Sequence, residues 1–392
     1  MNYIPLGPRD IPPRNATQWQ TLANTEEMTD RTIHNIELKS ASKLQKRQYL
    51  MLRVLWKSFP KQKFDVNKFE LTACVEEASR YLDAYSSWQL YCASFDGELS
   101  EGTFALARFY QKQVSWVPKD TPFDSDATAV PSPIAHRTRS RRGHSGKQVR
   151  EEALQTPSKP PKNPQAQPRT PFTNVSSGGD SDEDGDEPPQ SHDSLGPPEL
   201  IDQSFPKTKD EQIVNTALLD FLNAFIIHRN SRVQWTLYRK PFTAQFATAS
   251  IQARTDGCLE EVGSGKVHAI VEVKPVVRST APFSIAMQEA AQMVTWIKTN
   301  PDPAGKIGGC GHRLHVSQDR NEIYIIFAEY DETYVKYLDD KLDRSKDPGF
   351  LTMHQFGPWD IENRSDMADV GRILLAIALR ADKICQERGK IK

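Results

Sequence analysis

The chain has 392 residues, enough for two or three domains. Its 50 Lys and Arg balance 51 Asp and Glu, so it is neither basic nor acidic throughout. The 38% hydrophobic fraction is low, prolines number 27, and five scattered cysteines exclude a disulfide scaffold. With no apolar signal core in MNYIPLGPRDIPPR, and no aliphatic run longer than about Ile373–Leu379, the expectation is a soluble intracellular protein without a membrane span.

In chain order, residues 1–38 are rich in Pro and Asn and read as a loosely ordered arm. Residues 39–115 read as a small all-α module. Its first helix would fall in 39–63, where eight Lys and Arg stand without a single acid. A second would run through Phe69, Val75, Leu82 and Trp88, and a third through Phe104 to Tyr110. The basic stretch is either a nucleic-acid contact or a solvated face, and the module is a candidate surface for a protein partner. Between Pro118 and Pro198, 14 of the 27 prolines fall in 81 residues that contain no Trp or Tyr. Such a segment cannot bury enough apolar surface to offset its ordering entropy, so 116–205 reads as a disordered linker. It holds a basic block, RTRSRRGHSGKQVR at 137–150, and an acidic block, DSDEDGDE at 180–187. The basic block reads as a nuclear import signal or an arm for nucleic-acid phosphates, which makes a nuclear location the expectation.

Residues 206–392 read as one α/β domain. An apolar helix is expected over Lys207–His228. Strands follow over Val233–Arg239, Phe242–Arg254, Asp256–Glu261 and Lys266–Lys274, then a helix over Ser284–Lys298, a buried strand over Glu322–Glu329 and a last helix over Met367–Cys385. Phe356-Gly-Pro-Trp359-Asp360 reads as a turn, with Trp359 as its packing anchor.

Gly263 and Gly265 permit the positive φ angles of a tight hairpin. Such a hairpin returns the chain on itself and brings Asp256 near Glu272 and Lys274. Alternation puts Val267, Ala269, Val271 and Val273 on one face, and His268, Ile270, Glu272 and Lys274 on the other. Two close carboxylates repel unless a cation neutralises them. Hard oxygen donors of this kind suit Mg²⁺, and an adjacent ammonium can orient a water or offset charge on a phosphate. Cys310-Gly-His312 with His315 is a much weaker grouping, with no partner CxxC or HxxxH to complete the four ligands zinc normally takes, and is expected to be an ordinary loop.

The order Asp256, hairpin, Glu272-x-Lys274 resembles the PD-(D/E)XK nuclease superfamily. Arg254-Thr-Asp-Gly257, Glu272-Val-Lys-Pro275 and Gln288-Glu-Ala-Ala-Gln-Met293 are also similar to stretches of a group of uncharacterised fungal proteins with a nuclease-like domain. The likeness covers 206–392. It implies a restriction-endonuclease-like α/β sandwich and a nuclease acting on DNA or RNA with Mg²⁺ or Mn²⁺. Asp256 and Glu272 would be the metal ligands, joined by the Val273 carbonyl, and Lys274 the catalytic lysine. Gln288 and Gln292 would support the site, and Arg254 and Arg278 would meet phosphate or form structural ion pairs. Glu211 and Asp220 are the first-helix acids. They fall on opposite helical faces, so at most one points inward, and Glu211 is preferred. Because a fold can outlive its chemistry, a catalytically silent module that binds nucleic acid or protein is the alternative.

Overall fold

A computed structural model describes residues 11–116, 210–301, 306–307, 310–343 and 346–390. The expected linker, from residue 117 onward, lies outside the described residues, with its basic and acidic blocks.

The described residues form a mixed α/β unit around one twisted sheet. In chain order it begins with α1 (Ala16–Thr25), α2 (Lys46–Met51), β1 (Val54–Phe59), α3 (Thr72–Ala84), α4 (Ser86–Ala93) and α5 (Ala105–Ser115). It resumes with α6 (Glu211–Ala224), β2 (Val233–Thr236), β3 (Pro241–Gln245), β4 (Ser250–Arg254), β5 (Gly257–Glu261), β6 (Val267–Lys274) and α7 (Pro282–Thr299). The last elements are β7 (Lys306–Ile307), β8 (Cys310–Asp319), β9 (Glu322–Tyr330), α8 (Glu332–Leu338), β10 (Leu351–Asp360) and α9 (Arg364–Lys390). Seven strands lie in the order β1-β10-β9-β8-β6-β5-β2, with β7 beside β8, while β3 and β4 pair as a separate hairpin. The β1–β10 and β6–β8 pairs are parallel and the others antiparallel.

Each sheet face is buried under helices. Ala269, Val271 and Val273 of β6 join Leu314 and Val316 of β8 in a core with α6, α9 and the α3–α5 region. Ile270 of β6 and Ile326 of β9 join the other core, with α7, α1 and α2. Helix starts follow local chemistry. The Asp210 carboxylate accepts from the Gln212 N–H at 2.8 Å at the start of α6, and Asp331 caps α8 in the same way. Among the described residues, no helix is long and apolar enough to cross a membrane.

Several expectations need correction. Residues 11–38 are not a loose arm: Trp19, Ala23, Ile33 and Leu38 are buried, and the Trp19 indole donates to the Leu50 carbonyl at 3.0 Å. The N-terminal part is not all-α. Arg53, at φ 51°, ends α2, and Val54-Leu55-Trp56 enter the sheet beside β10. Aromatic and β-branched residues suit a strand buried on both faces, which reads as a continuous apolar run and mimics a buried helix in sequence. Nor do residues 39–115 make a core of their own. Trp88, Tyr91 and Phe104 share theirs with Phe221 and Phe225, while Leu50 and Met51 share the other with Met293. Residues 356–360 are strand rather than turn: β10 runs through a cis Gly357–Pro358 bond with a register shift between Phe356 and Trp359. Trp359 is the buried anchor expected, its indole donating to Asp369 at 2.8 Å. The Phe242–Arg254 strand is a hairpin, β3 and β4.

The alternation along β6 also breaks once. Val267 pairs with Glu260 and Ala269 with Leu259, leaving His268 as an extra residue. This bulge turns Val267 into the core that holds Ile270, away from Ala269.

Candidate active site

The site begins at the β5–β6 hairpin. Gly263 and Gly265 sit at φ 92° and 65°, conformations that residues with a Cβ rarely adopt. Gly257 is required for a different reason: a Cβ there would stand 2.7 Å from the Thr236 carbonyl and 3.1 Å from Leu219. That close approach lets the chain pass beneath β2 and α6 and delivers Asp256 to the start of β5. The Asp256 N–H donates to the Val271 carbonyl at 2.9 Å. Its Oδ2 accepts from the Val273 N–H at 3.1 Å, which aims the carboxylate along β6 toward Glu272 and Lys274. The Asn215 amide on α6 donates to the Asp256 carbonyl at 3.2 Å.

Glu272 lies beneath α7, only 1% exposed, and Asp256 is 5% exposed. Lys274 Nζ donates to Glu272 Oε1 at 2.5 Å. Gln288 donates to the same oxygen, and Gln292, one turn further along α7, donates to Oε2 at 2.5 Å. Gln292 also donates to the Arg254 carbonyl at 2.8 Å. The two glutamines therefore fasten α7 to the hairpin through one carboxylate. Although these donors favour the anion, burial pushes Glu272 up to about 8, and the nearby Asp256 charge adds to the rise. Lys274 loses charge stability by burial, but the acids Glu272, Glu211 and Asp256 outweigh this and hold it protonated.

Between the two first-helix acids the structure is decisive. Burial raises Glu211, with Lys274 opposing and Asp256 reinforcing the rise, so it sits in the field of the site. Asp220 is raised by burial alone. Sequence reasoning missed two contributors. Asn215 stands four residues after Glu211, the spacing that puts both on one helical face. Arg239, largely exposed, places a guanidinium nitrogen 3.2 Å from Asp256 Oδ1, and nothing in its local sequence marks it.

The arginines part ways. Arg254 is exposed on β4, and it is its carbonyl that joins the site. Arg278 does not face a phosphate. It is buried, donating to Asp319 Oδ2 and Glu289 Oε1 at 2.5 Å each, to Gln355 at 2.6 Å and to Ser317 at 2.9 Å. Its guanidinium also lies over Tyr324, 4.3 Å from the ring centre. The expected Cys310–His315 loop is instead part of β8. His315 is fully buried there, and burial pushes it down to about 3.

The candidate donors near this hairpin are carboxylate oxygens, those of Asp256, Glu272 and Glu211, although among the described residues these three do not close to within 4.8 Å of one another. Hard divalent cations take oxygen donors of this kind, and a buried acid raised by burial and by a neighbouring acid gains from a cation beside it. The residues therefore fit Mg²⁺ or Mn²⁺ in kind. No protein-family model matches the chain, and no curated protein matches it.

Proposed function

We propose that the chain is a divalent-metal-dependent phosphodiester hydrolase of restriction-endonuclease-like architecture, acting on DNA or RNA. The observation that carries this reading is that the Asp256 carboxylate accepts from the N–H between Glu272 and Lys274, that Lys274 pairs with Glu272, and that Glu211 lies within range of their charges. Asp256 and Glu272 would hold Mg²⁺ or Mn²⁺, with the Val273 carbonyl and Glu211 in support. Such an ion lowers the pKa of a bound water and polarises a phosphoryl oxygen. Lys274, protonated, would orient that water and counter charge that develops on the phosphate. Gln288 and Gln292 would hold Glu272 in one orientation. The exposed Arg254 side chain would meet the nucleic-acid backbone.

The test is cleavage of plasmid and oligonucleotides with Mg²⁺ or with EDTA, using wild type, Asp256→Ala and Lys274→Ala. The expected result is metal-dependent cleavage that falls at least roughly 10²-fold in each variant. Equal cleavage in all three refutes the assignment.

A specific observation favours the second reading, a catalytically silent module. Both Glu272 oxygens are already occupied by Lys274, Gln288 and Gln292, and Arg239 is seated on Asp256. Salt-dependent nucleic-acid binding without cleavage would select this reading. The protein partner expected through 39–115 finds support in Leu90, Leu106, Phe109 and Trp116, all exposed on or just after α4 and α5. Nuclear import through 137–150 is checked by imaging the full chain with its arginines there replaced.

A further inference from the structure

The other end of the β5–β6 hairpin gathers a different chemistry. Glu261 closes β5, His268 is the extra residue of the bulge on β6, and Cys385 lies in α9. A carboxylate oxygen, a ring nitrogen and a thiol sulfur from these three all fall within 4.8 Å of one another. They come from three separate elements, so the grouping is a product of the fold and not of one charged run.

The bulge brings His268 to this position. On an unbroken strand His268 would share a face with Ile270, beneath α7. The extra residue changes the alternation, and His268 Nε2 meets Cys385 Sγ at 3.4 Å on the α9 side. That distance discriminates. Zinc holds sulfur at about 2.3 Å and nitrogen at about 2.0–2.1 Å, so two such ligands at a tetrahedral angle stand about 3.5 Å apart. The pair is already at ligand separation. Ser264 donates to Glu261 Oε2 at 2.9 Å and orients the carboxylate.

Exposure suits entry from one side. Cys385 is buried, while Glu261 and His268 are half-buried and leave an outer side open to an ion and to a water in the fourth position. Burial pushes the Cys385 thiol up to about 11; Glu261 and Asp382 add to this and Arg388 opposes it. Asp382 does not compete as a ligand. Its oxygens accept from the Arg232 N–H at 2.6 Å and from Gln386 at 2.7 Å.

We propose that Glu261, His268 and Cys385 form a three-ligand site for a borderline-soft divalent cation of the zinc type, clasping α9 to the hairpin that carries Asp256 and Glu272. The mixed sulfur, nitrogen and oxygen set selects against Mg²⁺, which favours oxygen donors only. The proposal is independent of the hydrolase reading, since it uses other residues and another class of ion.

Titrating the full-length protein with Co²⁺ tests it directly, because only a thiolate ligand yields sulfur-to-cobalt charge-transfer absorption. Wild type is expected to develop this band with one equivalent of Co²⁺ and lose it on adding Zn²⁺. Zn²⁺ is also expected to raise the melting temperature, since it binds the folded state. Cys385→Ser should abolish the band, and Cys258→Ser should keep it. Glu261→Gln and His268→Ala should weaken Co²⁺ binding about 10-fold or more. Glu261 is half-exposed, so its variant reads out the site even if Cys385→Ser fails to fold. Absence of the band in wild type, its persistence in Cys385→Ser, or unchanged Co²⁺ affinity in Glu261→Gln would overturn the site and leave a thiol hydrogen-bonded to the imidazole and the carboxylate.

Discussion

The strands β6 and β8 show opposite chemistry on their two faces. Toward α6 and α9 they present Ala269, Val271, Val273, Leu314 and Val316, all aliphatic and all buried. Toward α7 they present, beside Val267 and Ile270, the side chains of Glu272, His315, Ser317 and Asp319, equally buried but polar or charged. The aliphatic face needs only area removed from water, at about 25 cal/mol per Å² and without direction. The polar face is tolerable only when its groups find partners, and most do, through Arg278, Gln288, Gln292 and Lys274. Among the described residues, the exceptions on or over that face are both ring nitrogens of His315, Glu289 Oε2 and Gln292 Oε1. Stability is therefore given up on the face that holds the candidate chemistry, and the helix α6 over the other face adds unpartnered atoms of its own, Asn215 Oδ1 and Asp220 Oδ2.

The sharpest way to break this contrast is Arg278→Met. It strands Asp319 and Glu289 as buried charges, and unfolding in urea should show a loss of about 3–5 kcal/mol. A loss below about 1 kcal/mol would mean the polar face is not held by that guanidinium. On the aliphatic side, Leu375→Ala in α9 should cost about 2–5 kcal/mol through burial and cavity alone, with no change in the proposed metal-dependent cleavage.

Glu272→Gln should cost both stability and function. Each Glu272 oxygen accepts from at least one donor, so the amide nitrogen would face Lys274 or Gln292, and the buried Lys274 ammonium would lose its anion. Unfolding in urea should show a loss of about 1–3 kcal/mol, together with loss of the proposed cleavage; unchanged stability would show that these donors do not hold the carboxylate.

The smallest effect at neutral pH is expected from His315→Leu, and acid should reveal it. Burial, then the charges of Arg278 and Lys274, push His315 down to about 3 from 6.5. Between those values the unfolded chain binds a proton that the folded chain refuses. Its contribution to stability is thus present above about pH 6.5 and lost as pH falls toward 3. His354, pushed down to about 4 chiefly by burial, acts in the same direction. Melting temperatures across this range should fall less steeply in His315→Leu than in wild type; parallel curves would count against the assignment.

Much of the candidate site was readable in one dimension. Asp256, Glu272 and Lys274 were found because a glycine hairpin and strand alternation are short-range rules. Gln288 and Gln292 came from the resemblance, with helical spacing placing them on one face, and both reach Glu272. Of the two alternatives for Arg278, phosphate contact or structural ion pair, the sequence could not choose, because its partners Asp319, Glu289, Ser317 and Gln355 come from three other elements. The bulge at His268 was invisible because it depends on how β5 pairs, not on β6 itself.

By itself, the amino-acid order determined what steric limits act on over a few residues. These are the positive-φ turn at Gly263 and Gly265 and the acid-x-amine spacing of Glu272 and Lys274. Only the tertiary structure decided that Val54–Phe59 is a strand, because its pairing partner β10 lies near the other end of the chain. It also decided that Glu211 rather than Asp220 meets the site, and that Glu272 lies under α7 rather than in water. The physical reason is the same throughout: backbone sterics are local, whereas burial and strand pairing depend on segments that sequence distance keeps apart.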